Sequence, residues 1–137
     1  MYSYVMPRRR PARPLPLDRC AVRTRDAERV EAARSQLPAA DELSGLTALF
    51  RLLGDPTRAR LLYALLEAGE LCVCDLAATI DATETTVSQA LRLLRAAGVV
   101  RARRAGRTIH YRLEDAHVRL LLDLSREHLR HADRKER

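Results

Sequence analysis

The chain has no tryptophan, a single phenylalanine (Phe50), five glycines and an aromatic share of only 4%. Sandwiches and barrels are built from β-branched and aromatic residues, so this scarcity, beside abundant Leu and Ala, argues for a mainly helical fold. Cysteine is also sparse, at three residues, Cys20, Cys72 and Cys74. The count is odd and two of them stand one residue apart, too close for an ordinary disulfide. A disulfide scaffold is thereby disfavoured, and reduced thiols in a cytosol fit better. No stretch approaches the ~18 apolar residues of a spanning helix, and the N-terminus lacks the apolar segment of a secretory signal. The expectation is a cytoplasmic protein with no membrane partner. A length of 137 residues allows one domain with a modest core.

What is abundant is positive charge. A net charge of +7 and a pI near 10.1 suggest a polyanionic partner, nucleic acid first; the plain alternative is a basic protein from an arginine-rich proteome. Residues 1–25 hold Pro7, Pro11, Pro14 and Pro16 and seven arginines. Such a composition packs no core and reads as a disordered basic N-terminal arm. Residues 26–137 then form the folded domain.

Within that domain a short helix is expected over 26–35. Another spans 41–53, with Leu43, Leu46, Leu49, Phe50 and Leu53 at helical spacing. Asp55-Pro56 supplies an N-cap and a proline at the first helical position. That helix runs to Ala68, with Ala59, Leu62, Leu66 and its neighbours inward, and Gly69 stops it. A helix over 73–80, a turn at Asp81-Ala82 and a Thr83-capped helix to Ala97 make a helix-turn-helix. Val87, Leu91 and Leu94 form the buried stripe of the second helix, leaving Thr85, Thr86, Ser88, Gln89 and Arg92 free. Residues 99–104 and 107–113 alternate as strands around Ala105-Gly106, a basic hairpin. The last helix covers 116–132, with Asp115 placed to cap it. The fold expected is mainly α with a β-hairpin wing, a winged helix-turn-helix.

Three constellations carry chemistry. The exposed face of the second helix suits base edges, Gln89 for adenine and Arg92 for guanine or phosphate. The wing arginines Arg103, Arg104 and Arg107 suit phosphate or minor-groove contacts. A solvated polar face is the bland alternative. The thiols Cys72 and Cys74 can share an ion only if Cys72 precedes the helix proper, since residues two apart within a helix diverge. The helix N-terminus beside them favours thiolate over thiol. Cys20 could add a third sulfur, and Asp18 or Asp75 an oxygen; such sites suit Cd(II), Pb(II), Zn(II) or As(III). Two small buried cysteines without a metal are the alternative.

On the last helix, Asp115, His117, His128 and His131 form the third set. His117 and His128 project from one side but lie roughly 16 Å apart along the axis, beyond the span of one ion. Two copies packed antiparallel bring Asp115 and His117 of one to His128 and His131 of the other, a tetrahedral Zn(II) set repeated twice. Leu120, Leu121, Leu124 and Leu129 would supply the apolar seam of a homodimer through terminal helices. Surface histidines without a ligand are the alternative. Neither metal set shows an open coordination position with a general base, so an enzyme is not expected.

Over residues 41–132 the chain resembles the metal-responsive repressors of the ArsR/SmtB family. The likeness rests on the Asp55-Pro56-Thr57-Arg58 helix start, the Glu70–Leu76 box (ELCVCDL), the helix at 83–97, the wing tip at 104–107 and the last helix. It implies a homodimer that binds double-stranded operator DNA when metal-free and releases it when metal binds. Cys72 and Cys74 match the cysteine box of the cadmium/lead-sensing branch, in which N-terminal cysteines complete the site across the dimer; Cys20 would take that part. The branch commonly brings two such cysteines and this chain has one. Asp115, His117, His128 and His131 match the zinc-sensing site, with His131 where Glu is usual. Arsenite sensors often add a third cysteine where this chain has Ala77. The expected function is a Zn(II)-sensing repressor that also takes Cd(II) or Pb(II) at the thiols and controls metal export or sequestration. The competing reading is an arsenite- or redox-responsive repressor acting through Cys72 and Cys74.

Overall fold

A computed structural model describes Cys20 and residues 25–135. The chain divides into two compact units, residues 1–38 and 39–137. Of the first, the described part is Cys20, which is exposed, and α1 (Ala27–Gln36), capped by the Asp26 side chain and without a buried residue. The expected basic arm, with Asp18, otherwise lies outside the described residues.

The second unit runs α2 (Ala40–Leu53), α3 (Pro56–Ala68), β1 (Glu70–Cys72), α4 (Val73–Ile80), α5 (Glu84–Ala96), β2 (Val100–Ala105), β3 (Thr108–Leu113) and α6 (Ala116–Lys135). Local chemistry sets these boundaries. Asp55 accepts from the Arg58 backbone N–H at 3.0 Å and Pro56 opens α3. Gly69, at φ +83°, turns the chain out of α3 at a backbone angle that a side chain would strain. Thr83 accepts from the Thr86 N–H at 3.1 Å to open α5. At its far end Gly98 donates to Arg95 O (3.0 Å) and Val99 to Leu94 O (2.9 Å), a Schellman motif that also packs buried Leu94 beside buried Val99.

One element was not legible in the pattern. Glu70–Cys72 is a three-residue strand, pairing Glu70 with Arg112, Leu71 with Tyr111 and Cys72 with His110, so the wing is a three-stranded sheet ordered β1-β3-β2. The hairpin tip also shifts by one residue from its expected place. Ala105 pairs with Thr108, which leaves Gly106 and Arg107 as the loop. Gly106 has φ +61° while Arg107 is not left-handed, the pattern of a type II′ turn, which requires glycine at its first central position.

The core is a leucine-rich cluster beneath α5: Leu61, Leu62 and Leu65 of α3, Leu76 and Ile80 of α4, and Val87, Leu91 and Leu94 of α5. Val99, Val100, Leu113 and Leu122 close it. Of the expected inward set of α3, Leu62 and Leu66's neighbour Leu65 are buried, Leu61 joins them, and Ala59 and Leu66 are only half-buried. Residues 59 and 61–66 are Ala, Leu or Tyr, so the period alone could not choose a face. No helix among the described residues is long and apolar enough to cross a membrane. Leu91→Ala should cost about 2–5 kcal/mol in urea unfolding because it empties a fully buried site. Leu93→Ala, at a side chain 51% exposed, should stay within about 0.5 kcal/mol of the parent.

Candidate functional site

The helix-turn-helix presents its second helix as expected. At 3.6 residues per turn, Thr85, Ser88, Gln89 and Arg92 fall within about 100° of arc, opposite buried Val87, Ala90, Leu91 and Leu94. All four are exposed, and none makes a side-chain hydrogen bond among the described residues. Thr86 lies about 60° beyond that arc, and its hydroxyl is engaged in the cap, accepting from Thr83 Oγ1 at 2.9 Å.

The wing sorts its arginines by partner. Directly paired antiparallel residues share a face of the sheet. Leu71, Tyr111, Ala102, Val100 and Leu113 therefore turn toward the core, while Glu70, Cys72, His110, Arg112, Arg101 and Arg103 share the outer face. On that face Arg103 donates from Nε (3.1 Å) and from Nη2 to Glu70 Oε1. Arg101 donates to Glu114 at 2.8 Å. The Arg103 guanidinium holds the Glu70 carboxyl below the usual carboxylate range, and Glu70 raises Arg103 in return. Arg104, Arg107 and Arg112 have no such ion pair among the described residues. Arg103, expected as a free phosphate contact, is thus tied to a carboxylate that could not be placed until β1 was seen.

Cys72 is the N-cap residue of α4, just outside the helix, and Cys74 is its second residue. This is the placement that sharing an ion requires. His110, absent from the sequence reading, sits directly across from Cys72, with Nε2 3.1 Å from Thr108 Oγ1 and Nδ1 3.9 Å from Glu70. The helix N-terminus is not the only charge beside Cys74. The Glu84 carboxylate, by hydrogen bonding and charge, pushes its thiol up, and desolvation, Cys72 and Asp75 add to this. This opposes the pull of the helix end toward thiolate. Cys20 belongs to the first unit.

Asp115 opens α6, its Oδ1 accepting from the His117 (2.9 Å) and Val118 (3.1 Å) backbone N–H groups, while Oδ2 stands 3.6 Å from His117 Nδ1. The Val118 bond leads in holding its carboxyl below the usual range, with desolvation opposing. His117, Leu120, Leu124, His128 and His131 share an arc of about 80°, away from half-buried Val118 and buried Leu122. Leu120 and Leu124 are exposed at 56% and 53%, so nothing among the described residues covers them. Leu129 departs from the expected seam: it lines a groove with Ala59, Tyr63 and Ile80. His131 Nε2 lies 3.6 Å from Glu127 one turn back. The structure thus joins Asp115 to His117, and it sets His128 and His131 near the other end of the same helix. Among the described residues no three His, Cys, Asp or Glu side chains converge as a metal site. The donor types fit Zn(II) on α6 and a softer ion at the thiols, and each set is incomplete as it stands.

A helix-turn-helix with a basic wing behind it defines a winged-helix DNA-binding regulator. The profile of bacterial regulatory proteins of the arsR family matches residues 55–102. A transcriptional repressor SmtB homolog of Synechocystis is 40% identical over 77% of this chain and 80% of its own length. A cadmium resistance transcriptional regulatory protein CadC homolog of Staphylococcus aureus is 34% identical over 82% and 93%. Among solved structures, the AntR antimony-specific transcriptional repressor superposes with TM-score 0.66 at 37% identity, covering 72% of this chain and 89% of its own. A homodimeric winged helix-turn-helix domain from Mycobacterium bovis gives TM-score 0.61 at 30% identity, covering 67% and 88%. The chain belongs to the ArsR/SmtB family, whose members are DNA-binding transcriptional regulators.

On a DNA duplex, Arg104→Ala or Arg107→Ala should each reduce the slope of log affinity against log salt by about one. Arg103→Ala should change it by clearly less, since Glu70 already balances that charge; anisotropy titrations at four salt concentrations decide it. Acid should also unwind the start of α6. A carboxyl depressed in the folded state contributes fully above its unfolded pKa and is lost as pH falls through the folded value. Asp115→Asn should therefore flatten the acid-side loss of helix signal in circular dichroism.

Proposed function

We propose that the chain is a metal-responsive repressor that binds operator DNA as a homodimer when metal-free and leaves it when metal binds. The observation that carries this reading is the outer arc of α6, where uncovered Leu120 and Leu124 lie between Asp115/His117 at one end and His128/His131 at the other. Antiparallel pairing with a second copy covers the leucines and joins the two half-sets in one step. Leu43, Leu46 and Phe50 of α2, also exposed, add apolar surface for such an interface. The homodimeric relative supports the same assembly.

In this reading Asp115 and His117 of one protomer, with His128 and His131 of its partner, hold Zn(II). Cys72 and Cys74, completed by Cys20, take Cd(II) or Pb(II). Bound metal supplies positive charge and directional bonds that favour one arrangement of the two protomers over another. Thr85, Thr86, Ser88, Gln89 and Arg92 read the major groove, and Arg104 and Arg107 follow the backbone, with Arg103 a lesser contributor. The genes controlled are those of metal export or sequestration. A tenfold loss of DNA affinity needs a coupling of only about 1.4 kcal/mol, within the usual allosteric range.

A second reading, in which As(III) or oxidation acts through Cys72 and Cys74, is favoured by two free thiols one residue apart with Cys74 exposed. The antimony-specific relative is compatible with it. One titration separates the readings. Zn(II), Cd(II), Pb(II), As(III) and, in metal-free buffer, peroxide are added to the DNA complexes of wild type, Cys72→Ser/Cys74→Ser and His117→Ala. His117→Ala should bind DNA normally and resist release by Zn(II), while the thiol variant loses only the Cd(II) and Pb(II) response. Normal Zn(II)-driven release by His117→Ala would remove the α6 set from the mechanism.

A further inference from the structure

The helix that carries the imidazoles does not read DNA, and the helix that reads DNA carries none of them. They meet through α3. Tyr63 donates its hydroxyl proton to the Leu122 carbonyl of α6 at 2.9 Å. The Arg126 guanidinium lies over the Tyr63 ring, 5.7 Å from its centroid, and donates to Glu67 at 3.3 Å. Leu122 is the buried residue of α6 and stands five residues after His117 and six before His128. The grip therefore falls midway between the two ligand pairs. On the far side of α3, about 160–200° around the helix from Tyr63, Leu61 and Leu65 enter the core shared with Leu91 and Leu94 of the recognition helix.

We propose that Tyr63 is the positioning residue that couples α6 to the recognition helix. The physical reason is directionality. The Leu122 carbonyl already serves the helix, and its remaining lone pair accepts from Tyr63 in one rotational setting of α6. A metal drawn between protomers at the ends of α6 turns or slides the helix about this central grip. The hydroxyl bond, with Arg126 stacked on the ring, passes that displacement to α3 and so to the packed leucines beneath α5. Interfaces of this kind settle in discrete arrangements rather than deforming continuously. The inference rests on the reading of α6 as the Zn(II) site and adds the path by which that site is felt.

The test measures Zn(II) affinity by chelator competition on the full-length protein, free and bound to a duplex selected from random sequence by the metal-free protein. The ratio of the two affinities is the coupling factor, equal by linkage to the factor by which Zn(II) weakens DNA binding. In Tyr63→Phe, which keeps the ring under Arg126, the Zn(II) affinity of the free protein and the metal-free DNA affinity should stay within about twofold, while the coupling factor shrinks roughly three- to tenfold, the worth of one hydrogen bond. Arg126→Gln, a surface change, should shrink the factor in the same direction and serves if Tyr63→Phe folds poorly. An unchanged factor in both variants overturns the proposal, as does a parallel loss of both affinities at constant ratio, which marks a purely structural role. A wild type without any Zn(II)–DNA coupling instead refutes the α6 reading itself and this inference with it.

Discussion

Everything this protein presents to its partners hangs on the burial of one stripe of α5 against α3 and α4. Val87, Leu91 and Leu94 are fully enclosed by Leu61, Leu62, Leu65 and Leu76. Each such side chain contributes about 1.5–3 kcal/mol by leaving water, and a domain of this size has few others. The stripe fixes the rotation of the helix, and rotation decides which side chains reach outward. Thr85, Ser88, Gln89 and Arg92 stand in solvent because their helical neighbours cannot. The Schellman turn at Gly98 then sends the chain directly into the wing, so helix and hairpin hold one relative setting.

Electrostatics refine what hydrophobic burial positions. A raw count of arginines would treat the wing as a uniform cationic strip. The sheet instead pairs Arg101 with Glu114 and Arg103 with Glu70, and it leaves the tip and one outer position uncompensated. Exposed pairs of this kind contribute little to stability, but they set where a polyanion finds free positive charge. The same short strand brings Glu70 and Cys72 beside His110, so the cysteine box and the wing belong to one sheet. A change at the thiols is thereby a change at the edge of the sheet that holds the basic hairpin.

The two donor sets differ in what they lack. Those of α6 sit on a rigid rod whose length keeps the halves apart, and in the proposed Zn(II) site a second copy supplies the other half. The thiols sit at a bend where strand becomes helix, and the Glu84 carboxylate pushes the Cys74 thiol's pKa up. An incomplete site is suited to regulation, because completing it demands a particular arrangement of the parts. A site already whole within one chain would bind metal without reporting anything about assembly.

Much of this was legible in the residues. Asp55-Pro56, Gly69, Thr83, Gly98 and Asp115 mark element boundaries by local chemistry, and local chemistry needs no fold to act. The helical period of Val87, Leu91 and Leu94 likewise named the buried face of α5, since a single stripe leaves one choice. Where apolar residues surround a helix, as in α3, the period could not separate buried Leu61 from half-buried Ala59 and Leu66. A three-residue strand carries too little alternation to be seen, so the partners of Glu70, Cys72 and Arg103 stayed hidden with it. Leu129 was assigned to the seam by composition, and its angular position turned it to the groove. The sequence by itself determined the winged-helix class and the outward face of α5, because these follow from spacing along a chain. Only the tertiary structure decided which arginines remain uncompensated, that Cys72 faces His110, and that Tyr63 grips α6 at its midpoint, because these are meetings between residues as many as 59 positions apart and no local pattern encodes them.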